Sequence, residues 1–88
     1  MNLPYQLMMS DEDKVMRGQR AGMLIQSEAY QEVITEIREM LHLALDNQPT
    51  DDNDIVMPIV RQLRAVKAIE TKLLAWEQDG ARIGRLNA

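Results

Sequence analysis

From Glu28 to Asp46 the apolar side chains Tyr30, Val33, Ile34, Ile37, Met40, Leu41 and Ala44 recur at seven-residue intervals (30, 37, 44; 33, 40; 34, 41). Only an α-helix gathers such positions on one side, and three apolar positions per heptad form a stripe wide enough for a bundle interior. Glu28, Glu32, Glu36 and Glu39 follow i, i+4 and i+3 spacing on the opposite side. No segment alternates with the two-residue period of a strand, so the pattern predicts an all-α chain.

Two further helices follow from local signals. Ser10 precedes Asp11, Glu12 and Asp13; its hydroxyl can accept from orphan backbone N–H groups, and the acids suit the positive end of a helix. A first helix is predicted to Gln26. Gly18 and Gly22 weaken it by roughly 1 kcal/mol each relative to Ala, yet with Ala21 they make a small-residue face that permits close helix approach. Ser27 is placed to cap the second helix. Residues 47–54, NQPTDDND, read as a turn. The third helix is predicted from about Asp54 to Asp79, with Pro58 in its first turn and Gly80 as its stop. Its inner stripe is Ile55, Ile59, Leu63, Val66, Ile69, Leu73 and Trp76, with Trp76 as an anchor near its end. The short connection predicts an antiparallel hairpin of the second and third helices, and the first helix covers part of its outer flank. The expected fold is thus a three-helix, coiled-coil-like arrangement. It comprises an apolar N-terminal arm (1–9), a single helical domain (10–80) and a basic C-terminal tail (81–88).

Composition removes several function classes. There is no Cys, hence no disulfide, thiol nucleophile or thiolate metal site. No apolar run reaches the ~18 residues of a membrane span, and the N-terminus lacks a signal-peptide pattern, so a cytoplasmic location and no membrane partner are expected. Net charge is −4, which disfavours nucleic acid as a partner of the whole molecule. The charge is uneven: residues 1–54 hold 4 basic and 11 acidic side chains, residues 55–88 hold 6 and 3. Halves of opposite sign can attract each other within a chain or between chains.

The remaining polar residues form no catalytic or metal site. The Glu stripe places its carboxylates in one solvated environment, whereas acid–base chemistry needs two environments. His42, the sole histidine, stands three residues after Glu39, but on the outward face and without a second such motif. Asp51, Asp52, Asn53 and Asp54 lack the spacing of a calcium loop. Ser10 and Ser27 are explained by capping. No enzyme activity, cofactor or small-molecule substrate is expected.

What is left is surface. Ile55, Val56, Met57, Ile59 and Val60 point in nearly all directions, and the arm adds Leu3, Tyr5 and Leu7. The arm can cover the cluster within one chain or dock on a neighbour; both remain open. Burying one such side chain is worth about 1.5–3 kcal/mol, large beside the stability of a small domain. The expected interface is therefore Leu3, Tyr5, Leu7, Ile55, Val56, Met57 and Val60. In a hairpin the basic face of Arg61, Arg64 and Lys72, with Lys67 at its margin, points away from the Glu stripe, so neutralisation between molecules is open. Those four are also the residues a nucleic-acid contact would use.

The runs R-G-Q-R-A-G-M-L-I-Q-S-E-A-Y-Q-E (17–32) and R-Q-L-R-A-V-K-A-I-E-T-K-L (61–73), a Pro–Thr–Asp turn (49–51) and a Gly after an acid (79–80) resemble a family of small helical proteins of tailed bacteriophages and prophages, encoded among virion-assembly genes. The chain departs from that pattern in its apolar arm and in lacking a Trp around residues 41–45. The resemblance implies a virion or assembly accessory, in the host cytoplasm or the virion; the surplus apolar surface and the charge placement add the expectation that it oligomerises and binds a phage or host protein. Two alternatives are a packaging accessory resembling a small terminase that binds nucleic acid through the third helix, and an acidic inhibitor of a host protein that uses Glu28, Glu32, Glu36 and Glu39.

Overall fold

The computed structural model describes residues 9–48 and 53–87, and among them it contains three helices and no strand. They are α1 (Asp11–Gln26), α2 (Glu28–Asp46) and α3 (Asn53–Leu86). Both predicted serine caps are formed. The backbone N–H of Asp13 donates to Ser10 Oγ and that of Tyr30 to Ser27 Oγ, each at 3.1 Å. Ser27 itself is extended (φ −70°, ψ 137°), as a residue before a first helical turn must be. At the far end of α2 the Gln48 side chain donates to the Ala44 carbonyl at 3.0 Å, satisfying an acceptor the helix leaves open.

α3 differs from its predicted bounds. It continues through Gly80 to Leu86, so residues 81–86 of the expected tail are helical. At about 1.5 Å per residue its 34 residues span roughly 50 Å. Pro58 lies inside this helix, beyond its first turn, because the helix begins at Asn53. Gly80 does not adopt the left-handed conformation of a stop, since no described glycine has positive φ. It is buried instead.

The chain divides into two compact units, one joining residues up to Ile25 with those from Lys72 on, the other running from Gln26 to Thr71. In the first, α1 packs against the end of α3. Gly18, Ala21, Gly22, Gly80 and Ile83 are buried. A Cβ on Gly18 would stand 3.0 Å from the Gly80 Cα and 2.6 Å from the Trp76 carbonyl oxygen, and one on Gly80 would stand 2.9 Å from the Lys14 carbonyl oxygen. Two backbones touch there. A Cβ on Gly22 would strike the Glu77 carboxylate. The Asn87 side-chain amide donates to the Asp11 carboxylate at 3.4 Å, so contacts run in opposite order along the two helices. The small-residue face predicted on α1 is the packing face; its partner is the glycine predicted as a stop.

In the second unit α2 packs on the first half of α3. Ile34, Leu41 and Val66 are buried, with Tyr30, Ile37, Ile59 and Leu63 packed against them. These positions alternate by four and three residues, the narrow seam of two packed helices rather than a bundle stripe. That corrects the predicted stripes: Val33 is 53% exposed, Met40 62%, Ile69 52% and Ile55 44%. Two helices cover only the middle of a stripe and leave its flanks in water. Arg38 of α2 pairs with Glu70 of α3. Both are partly solvated, so the pair is worth at most about 1 kcal/mol.

Three substitutions test this packing. Gly80→Ala should lower stability by about 1–3 kcal/mol despite Ala being the better helix former, because the backbones must part. Gly84→Ala, whose Cβ would meet nothing within 4 Å, should raise it by up to about 1 kcal/mol; urea unfolding followed by circular dichroism measures both. The Tyr30 hydroxyl is buried without a hydrogen-bond partner. Tyr30→Phe should therefore raise stability by about 1 kcal/mol, read as a higher urea midpoint.

Candidate protein-binding surfaces

The residues predicted at the interface are distributed unevenly. Leu3, Tyr5 and Leu7 lie outside the described residues. Ile55 is exposed, whereas Val56, Met57 and Val60 are half-buried. Arg61, Arg64 and Lys67 are exposed in the second unit and Lys72 in the first. None of the four forms a salt bridge with another described residue. Asp54 is exposed, and Asp51 and Asp52 lie outside the described residues.

α2 presents a continuous outward edge. Glu28, Glu32 and Glu36, with Gln31 and Thr35, line a shallow open depression. Val33 and Met40 stand exposed at the margin of these acids, and Leu43 extends the edge. Glu carboxylates four residues apart repel, each pair costing about 0.2–0.5 kcal/mol. Glu39 and His42 are also exposed. Among the described residues no three acidic, histidine or cysteine side chains stand close enough to hold a metal ion.

The first unit contains a groove that sequence reasoning missed. Ala21, Leu24, Leu73 and Trp76 form its apolar lining, and Arg17 and Arg20 stand beside them. The Arg17 guanidinium carbon lies 4.6 Å from the centre of the Trp76 ring, a cation–π contact. Its Nε is enclosed and has no hydrogen-bond partner. Trp76 is half-buried, so the predicted anchor is also one wall of a groove. Leu24, 44% exposed, is the opposite apolar contributor. The i, i+3 pair Arg17 and Arg20 was the available signal. It pointed nowhere until Trp76 was placed beneath it.

Close by in sequence, Arg82 hydrogen-bonds Asp79 and holds its carboxyl below the ordinary value of 3.8. Partial loss of solvent opposes this, and the positive charges of Arg82, Lys14 and Arg17 reinforce it. A lowered folded-state pKa means that ionised Asp79 stabilises the fold above the ordinary carboxylate range. That contribution fades as pH falls through the folded value. Asp79→Asn should therefore be less stable than the native chain near neutral pH, and the gap should shrink below about pH 4, read from urea midpoints across an acid series.

Comparison with protein families, with curated proteins and with solved structures finds no match to this chain. Among the described residues no helix is long and apolar enough to cross a membrane.

Proposed function

We propose that this chain is a non-enzymatic interaction protein, a phage virion or assembly accessory that self-associates and binds another protein through apolar helix surface. In this reading α2 and α3 form an antiparallel hairpin, and the arm with Leu3, Tyr5 and Leu7 joins Ile55, Val56, Met57 and Val60 at an interface. One observation carries it: five hydrophobic residues of the described chain are buried, while ten large ones are exposed. Scattered exposed leucines are ordinary. Here they outnumber the core, and three of them, Val33, Met40 and Leu43, share an edge of α2. The phage assignment rests on the sequence resemblance.

A second reading is favoured by the exposure of Arg61, Arg64 and Lys67 without salt bridges to described residues: a nucleic-acid-binding packaging accessory. Light scattering coupled to size exclusion tests the first reading. The full chain should run as more than one copy, and Ile55→Asp should shift it toward the monomer; a folded monomer up to about 1 mM would overturn self-association. A DNA mobility shift over a salt series tests the second, which requires binding that weakens steeply with salt.

A further inference from the structure

We propose that the occupant of the Arg17–Arg20–Trp76 groove is the acidic–apolar edge of α2 from a second copy of this chain. The inference rests on the self-association reading and adds to the Ile55 interface a second pair of surfaces that takes part in it. Each surface lies on described residues of a single compact unit, and each is incomplete in the same way. The groove offers apolar walls, Ala21, Leu24, Leu73 and Trp76, flanked by two cations one helical turn apart. The α2 edge offers the complement: Val33 and Met40, two turns apart and both largely exposed, beside Glu32 and Glu36 one turn apart. An exposed helix ridge seated between two others is the ordinary mode of helix packing.

Charge chooses this occupant over a merely greasy one. Among the described residues, no salt bridge neutralises Arg17, Arg20, Glu32 or Glu36. On each surface like charges sit one turn apart and repel; docking sets Glu32 and Glu36 against Arg17 and Arg20 and relieves both repulsions. Arg17 is already held against Trp76, which lowers the entropy lost when it grips a carboxylate. Groove and edge are different surfaces, so two reciprocal contacts would close a two-fold dimer and one-way contacts would build a ring or a chain of copies.

Charge reversal at exposed positions tests this without touching the packed residues. Sedimentation velocity on the full chain should show association that weakens with salt. Arg20→Glu alone, and the pair Glu32→Arg with Glu36→Arg, should each weaken it at least about tenfold. Mixing the two variants should restore one contact, since the unaltered α2 edge of the first then meets the unaltered groove of the second. Circular dichroism confirms that each variant is folded. Association that persists unchanged in both variants, or a folded mixture that fails to recover, overturns the pairing. If Ile55→Asp abolishes that persisting association, the broader self-association reading survives while this one falls. A wild-type chain that stays monomeric overturns both.

Discussion

At Gly18 and Gly80 two helix backbones meet with no side chain between them, and the first compact unit is built outward from that contact. The approach is possible only because neither residue has a Cβ: one added to either would stand about 3 Å from the other's Cα. Glycine in mid-helix costs roughly 1 kcal/mol relative to Ala. The cost is offset by dispersion along the crossing and by burial of Ala21 and Ile83 beside it. The same proximity places Arg17 over Trp76 and draws Ala21, Leu24 and Leu73 around one groove. A bulkier crossing would push the helices apart, and the groove would open out.

A second constraint is the scarcity of interior. Where only two helices pack, the covered strip is a seam of alternating three- and four-residue steps, as in Tyr30, Ile34, Ile37 and Leu41. The sequence of α2 is written for a wider strip. Val33 and Met40 are therefore left at its margin, in water. No large side chain is completely enclosed among the described residues. The apolar flanks are thus surplus to the packing within each unit, and under the proposed self-association another helix covers them.

In the proposed pairing, electrostatics selects the helix that covers them. The pairs that do form, Arg38 with Glu70 and Asp79 with Arg82, are solvated and weak. Among the described residues they leave Glu28, Glu32, Glu36, Glu39 and Arg20 without a salt bridge. Surfaces that combine exposed aliphatic groups with like charges at one-turn spacing are poor solvent faces and good complements to each other. That favours a partner of opposite polarity over hydrophobic association without direction.

Much of the secondary structure was legible from the residues alone. The bounds of α1 and α2, both serine caps and the close-packing face of Gly18, Ala21 and Gly22 follow from short-range rules: capping hydrogen bonds, helix periodicity and the size of a side chain. The exposed Glu stripe was readable for the same reason. Gly80 was not. A glycine after an acid near a helix end has the same local signature whether it stops the helix or receives another, and only α1, distant in sequence, selects the second role. The flanks Val33, Met40 and Ile69, and the groove under Arg17 and Arg20, were likewise settled by which side of each helix found a neighbour. Periodicity states that a helix has an apolar side; how much of that side is covered depends on the number and angle of the helices that pack against it, and that is decided in three dimensions.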